Sequence, residues 1–185
     1  MPAVGSIGVM IHAIRCLAAA FSLTLATAVH AAPADDAVAR GRDALKAMDM
    51  VAAMSAFDAA LKDDPKHAEA AYERGVLLMK MGKLQEAIAD FTTATVSNPA
   101  HGRAFARRGE VKIVLQNWKS AFEDFDKAVA ASPKDYHVYV MRASHLMGRG
   151  DKTKAVADMD TAIGLADESA AQVLRQMKSQ MGLGQ

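Results

Sequence analysis

A spacing of 34 residues governs this chain. From Arg74 to Pro99 the sequence reads Arg-Gly, an apolar run, Gly-Lys-Leu, Glu-Ala-Ile-Ala-Asp-Phe and then Asn-Pro, and the block returns in phase on either side. Gly41, Gly75 and Gly109 share one position, with Ala143 in the fourth copy. Ala53, Ala87, Ala121 and Ala155 share a second, and Ala60, Ala94, Ala128 and Ala162 a third. Phe57, Phe91 and Phe125 lead to Met159, and Pro65, Pro99 and Pro133 lead to Asp167. A repeat of this length is one supersecondary unit that buries its apolar face only against its neighbours, so the chain must stack into a solenoid.

Half of the residues are hydrophobic (51%) but few are aromatic (5%), and Ala and Met are abundant, which favours helices packed through small, flexible side chains. Each unit reads as two helices. In the second, helix A runs from about Ala68 to Met81 and helix B from about Leu84 to Val96. The turns between A and B fall at Met48-Asp49, Gly82-Lys83, Gln116-Asn117 and Gly150-Asp151, only two of them with glycine. The residue before proline is pushed out of the α region, so Asp64, Asn98 and Ser132 mark helix ends. The units are expected at 34–67, 68–101, 102–135 and 136–167. A capping helix at 168–181 would cover the stack with Val173, Leu174, Met177 and Met181, followed by a disordered end from Gly182 to Gln185.

The first thirty residues read as an address. Arg15 precedes an apolar run from Cys16 to Val29, and Val29-His30-Ala31 supplies small residues near a cleavage point. A basic flank, a short apolar core and such an end describe a secretory signal peptide over 1–31, cleaved after Ala31 or Ala32. The run is too short to span a bilayer, which needs about 20 apolar residues. Met10 offers a second start. The only cysteine, Cys16, would leave with this segment, so neither a disulfide framework nor a structural cysteine zinc site is expected. A mature chain without thiols suits an oxidising compartment, periplasmic or extracellular. With a formal net charge of +1 and interleaved acids and bases, no basic stripe for nucleic acid is present. No membrane contact is expected after cleavage.

Arg-Gly in helix A and Ala-Ile-x-Asp-Phe in helix B make residues 34–167 resemble the tetratricopeptide repeat family in its bacterial form. The resemblance implies a right-handed, all-α superhelix whose inner, concave surface is built by helix A. Carried over by position, that surface takes Arg42, Leu45 and Lys46 from unit one, and Glu69, Tyr72, Glu73, Val76, Met79 and Lys80 from unit two. Unit three gives Arg103, Ala106, Arg107, Glu110, Ile113 and Val114, and unit four His137, Val140, Met141, Ser144 and Met147. Leu45, Met79, Ile113 and Met147 would form an apolar stripe suited to a helix or an extended peptide. Arg103 and Arg107 coincide with two basic positions of the family's carboxylate clamp, but Val38, Arg42 and Glu73 do not match the rest. An acidic contact at the two arginines is what remains of that mode.

Arg40, Arg74, Arg108 and Arg142 recur beside the small residue of helix A, and Asp90, Asp124 and Asp158 recur in helix B, with Ala56 breaking the series. Bidentate pairs closing the seams explain them better than an anion site. His137, Met141 and His145 share a helix face but span about 12 Å, too far for one metal ion. His67 and His101 fall in loops between units, where solvation is expected. No G-x-S-x-G, H-E-x-x-H or phosphate loop occurs, so no catalytic residues, cofactor or metal are expected. The expected function is a non-catalytic adaptor or scaffold in the cell envelope, monomeric or weakly self-associating, that holds a protein or peptide partner. The alternatives are a self-assembling structural protein or a minor role in binding a small ligand or metal.

Overall fold

The structure is a computed structural model that describes residues 32–183. The expected signal segment, residues 1–31 with Cys16, lies outside the described residues, as do the last two positions. Nine helices and no strand occur among the described residues: α1 (Ala32–Lys46), α2 (Met50–Asp63), α3 (Ala68–Lys80), α4 (Leu84–Ser97), α5 (Gly102–Val114), α6 (Trp118–Ala131), α7 (Tyr136–Gly148), α8 (Lys152–Leu165) and α9 (Glu168–Gln180). The first eight form four antiparallel A–B pairs, and α9 packs on α8.

Local chemistry sets the boundaries. Asp64, Asn98 and Ser132 are the C-caps of α2, α4 and α6, each out of helical conformation ahead of its proline. All four A–B turns close in one way, with a residue at positive φ just past helix A. Gly82 (φ 76°) donates to the Met79 carbonyl at 3.1 Å and Lys83 to that of Leu78 at 2.9 Å. Met48 and Gln116, both at φ 60°, make the same pair of bonds without being glycine. The left-handed region costs an L-residue about 1–2 kcal/mol, so these two turns hold strain that Gly82 and Gly150 avoid.

The repeated small residues are where helices meet. Phe57, Phe91, Phe125 and Met159 are fully buried, as are the alanines of both B-helix phases. A Cβ added at Gly41 would stand 2.4 Å from the Phe57 ring, and one at Gly75 2.8 Å from Phe91. At Gly109 it would meet the Ala121 carbonyl oxygen at 3.0 Å, which locates the crossing of α5 and α6. Unit four solves the same crossing with a different pair: Ala143 and Met159 are both fully buried in one cluster. A Cβ has been added and the rigid ring exchanged for a flexible chain.

Charged seams bind the units. Arg74 grips Asp90 of its own unit through two bonds of 2.8 and 2.7 Å and reaches Asp58 of the preceding unit at 2.8 Å. Arg142 repeats this on Asp158 and Asp126. Arg108 holds Asp124 in the same way, but Thr92 stands where the preceding unit would offer an acid, and Arg108 bonds the hydroxyls of Thr92 and Thr95 instead. Lys112 then supplies Asp124 with a second cation at 2.7 Å. The expected seam pairs are therefore present in units two to four.

Each A helix touches the A helix of the next unit, whereas no comparable B-to-B packing occurs among the described residues. The stack therefore curves with the A helices inside. At its end, Ala171 and Leu174 are buried and Met177 and Met181 pack against the same cluster. Two expectations fail here. Val173 is 56% exposed, off the stripe that covers unit four. Leu183 does not belong to a disordered end: Gly182 at φ 68° turns the chain back, Leu183 donates to the Lys178 carbonyl at 3.1 Å, and its side chain is buried in the cap. That turn repeats the positive-φ closure of the A helices, in its glycine form as at Gly82 and Gly150.

Candidate functional site

The A helices carry a line of polar contacts across all four units. Arg42 on α1 pairs with Glu69 and Glu73 on α3, the latter at 2.8 Å. Glu69 faces His101, the N-cap of α5, at 3.3 Å. Tyr72 on α3 packs at a tilt against His101, with ring centroids 4.7 Å apart, and its phenol feels the charge of Arg107 on α5. Arg107 bonds Glu110 at 2.7 Å, and Glu110 faces His145 on α7 at 3.8 Å. Residues contributed by one helix position after another thus lie on one continuous surface on the inside of the curve.

His67 and His101 are not solvated loop residues. Each is the N-cap of the next A helix: Nδ1 of His67 accepts from Ala70 N–H at 3.1 Å, and Nδ1 of His101 from Ala104 N–H at 3.3 Å. Their side chains are only 17% and 12% exposed. Because Nδ1 accepts, the proton of the neutral ring sits on Nε2, which faces Asp35 (3.0 Å) from His67 and Glu69 from His101. In the third seam the polarity is inverted. The cap is Asp135, and it holds Arg103 through bonds of 2.6 and 3.2 Å. The periodic series 35, 69, 103 against 67, 101, 135 contains this signal, since an acid faces a base each time and the order reverses once.

The electrostatics follow from these pairs. The imidazole of His101 holds the Glu69 carboxyl below its ordinary range against the opposing effect of burial, with Arg42 adding to it. Burial works against ionisation of Glu110 and Asp135, but His145 and Arg107 outweigh it at the first and Arg103 at the second, and both carboxyls end lower. Burial pushes the Tyr72 phenol up, opposed by Arg107. Burial and then the charge of Arg103 hold the His137 imidazole below its usual value.

Arg42, Lys46, Lys80, Arg103 and His137 are exposed; Tyr72, Val76, Met79, Arg107, Glu110, Ile113, Met141 and Met147 are half-buried. The charged ends of Arg42, Lys46, Arg103, Arg107 and Glu110 are engaged in ion pairs. Arg103 and Arg107, expected to be available to an acidic partner, are paired with Asp135 and Glu110. Ala106, carried over to the same surface, is fully buried instead. The positions of the expected apolar stripe, Leu45, Met79, Ile113 and Met147, are all half-buried. His137, Met141 and His145 do not converge: His137 stacks on Tyr136, and His145 lies against the Phe125 ring. Among the described residues no cluster of three His, Cys, Asp or Glu side chains suits a metal ion.

A curved wall of helix pairs with one face assembled from successive A helices defines a class, the helical-repeat solenoids that serve as protein-interaction modules. Two tetratricopeptide repeat families match the sequence, over residues 76–136 and 56–89. Comparison with curated proteins gives no match. Among solved structures, a thermophilic tetratricopeptide repeat protein of Thermus thermophilus is 20% identical with a TM-score of 0.68, over 81% of this chain and 84% of that one. MamA of Desulfovibrio magneticus RS-1 is 21% identical, TM-score 0.58, over 83% and 88%. The TPR2B domain of yeast Sti1, solved as a complex with pHsp70, is 28% identical, TM-score 0.51, over 54% and 79%. The second such domain of Spaghetti (RPAP3), bound to the HSP90 peptide SRMEEVD, is 25% identical, TM-score 0.52, over 55% and 94%. Residues 56–136 are thus tetratricopeptide repeats, and the solved neighbours share the solenoid fold over most of the chain.

Proposed function

We propose that this protein is an exported, non-catalytic adaptor of the cell envelope whose concave A-helix face holds a peptide or helix of a partner protein. The observation that carries this reading is the line of contacts from Arg42 through Tyr72 and Arg107 to His145, which joins four helices into one surface. That surface sets half-buried Val76, Met79 and Ile113 beside paired charges. Such a mixture favours an amphipathic segment, with apolar anchors over Met79 and Ile113 and polar contacts at the edges. The complexes of the Sti1 domain with pHsp70 and of the RPAP3 domain with an HSP90 peptide support a peptide-holding role for this shape. The Arg103–Asp135 and Arg107–Glu110 pairs argue against a simple carboxylate clamp, because an incoming acid would have to displace an acid already in place. Export rests on the N-terminal segment, and N-terminal sequencing of the envelope fraction should read from Ala32 or Pro33.

The test is a photo-crosslinking residue at Met79, with a second at the outward-facing Lys127 as control. A partner captured from Met79 and not from Lys127, and lost when Ile113→Asp is added, supports the groove. Equal capture from both positions, or capture indifferent to Ile113→Asp, would exclude it.

A further inference from the structure

The two long edges of the solenoid differ in chemistry. Because each A helix runs in the same sense as the next, all four A–B turns lie on one edge and the links between units on the other. Residues 46–50, 80–84, 114–119 and 148–154, which make the A–B turns, contain seven bases and two acids. Residues 33–36, 63–68, 97–102, 131–136 and 165–169, on the opposite edge, contain seven acids and two bases. A formal net charge of +1 hides this polarity.

The basic edge also carries most of the large apolar side chains that the fold leaves in solvent. Val51 is 81% exposed, Val114 65%, Met81 55% and Met50 53%, joined by Leu115 and Trp118. They are not scattered. Met50, Val51 and Met54 of unit one share with Met81 of unit two a shallow cleft of about 470 Å³ that opens on this edge. Val114, Leu115 and Trp118 form the corresponding turn of unit three. Lys80, Lys83 and Lys119 flank them, with Lys152 and Lys154 on the last turn. An exposed apolar cluster of this extent marks a contact surface.

We infer that this edge docks on the surface of an anionic lipid bilayer. Apolar and indole side chains at the tips of turns, ringed by lysines with flexible stems, match the boundary between acyl chains and negatively charged headgroups. The opposing acidic edge would face away, which fixes the orientation. A second copy docking its acidic edge here would satisfy the charges, but among the described residues that edge offers the apolar cluster only Val96 and Leu165. Docking is peripheral: among the described residues no helix is long and apolar enough to cross a membrane. It departs from the expectation of no membrane contact after cleavage of the N-terminal segment.

The only tryptophan in the chain lies in this patch, so the protein reports on itself. Full-length protein is titrated with vesicles of phosphatidylcholine containing phosphatidylglycerol, and with phosphatidylcholine alone. Trp118 emission should shift to the blue with the anionic vesicles only and be quenched by brominated acyl chains. The partition coefficient should fall roughly tenfold or more between low and high salt. Val51→Asp and Val114→Asp, both at exposed sites, should reduce partitioning at least about tenfold while circular dichroism and thermal melting stay unchanged. Lys80→Glu with Lys83→Glu should abolish the preference for anionic lipid. Co-sedimentation without any change at Trp118 would assign binding to residues 16–29 and overturn the inference. So would an oligomer in sedimentation velocity that Val51→Asp dissolves while vesicles leave Trp118 unmoved.

Discussion

The pair Ala143 and Met159 makes a quantitative test of how the helices nest. Transplanting it to unit two means replacing Gly75 with Ala and Phe91 with Met. Alone, Gly75→Ala gains about 1 kcal/mol from helix propensity. Its new Cβ stands 2.8, 3.0 and 3.2 Å from three atoms of a ring that is fully buried and so cannot swing aside. Overpacking of that kind costs about 1–3 kcal/mol, leaving a net destabilisation of roughly 1 kcal/mol. Phe91→Met alone leaves unfilled volume where the ring edge stood and should cost about 1–2 kcal/mol. In the double variant the methyl group occupies that volume and keeps its propensity gain. It should therefore be no less stable than Phe91→Met, a coupling of about 1–2 kcal/mol. Urea denaturation followed by circular dichroism measures all four proteins, with shifts in midpoint at constant slope. At Gly41 and Phe57, where the contact would be 2.4 Å, the coupling should be larger. Strictly additive single effects at both sites would refute the view that the ring dictates glycine.

Three further outcomes are expected. Met48 is 87% exposed at φ 60°, so Met48→Gly loses no packing and should raise stability by about 0.5–1 kcal/mol, whereas Met48→Ala should not. Burial opposes the charge of Asp124, but Arg108 and then Lys112 outweigh it and hold its carboxyl below the ordinary range. Its stabilising contribution is therefore complete above the usual carboxylate range and disappears as pH falls through the lowered value. Urea midpoints at a series of pH values should show Asp124→Asn weaker than the parent at neutral pH and the gap closing in acid. A gap independent of pH would discount the pair. Leu183→Ser, read by thermal melting, should destabilise the end of the stack by about 1–2 kcal/mol, and a silent result would remove Leu183 from the cap.

Much of the fold was legible because the small residues repeat in phase: the equivalents of Ala87 and Ala94 recur in all four units, and those of Gly75 and Phe91 in three. The Arg–Asp seams were legible for the same reason, since Arg108 and Asp124 keep one spacing with their equivalents. A charge reversal between Arg108 and Asp124 is nonetheless no clean test, because Lys112 would then face the new arginine. What escaped the sequence were roles that depend on backbone geometry. His67 and His101 fall between units, and only the position of the first helical N–H groups shows them as caps. Leu183 follows a glycine near the end of the chain, which reads as fraying until Gly182 is seen to fold it inward. The pairing of Arg103 with Asp135 depends on the packing of α5 beside the cap of α7, which neither residue shows alone.

The inverted third seam has a consequence for how such an array can change. Excising 34 residues within units two and three, from Ala70 to Arg103, would leave every small residue in phase and the apolar core continuous. It would also set Glu69 opposite Asp135, acid against acid, where the parent has Glu69 with His101 and Arg103 with Asp135. Modules that look interchangeable by hydrophobic content are thus keyed by sign. Shortening by unequal crossover at that junction is penalised without any residue having been spent on the core.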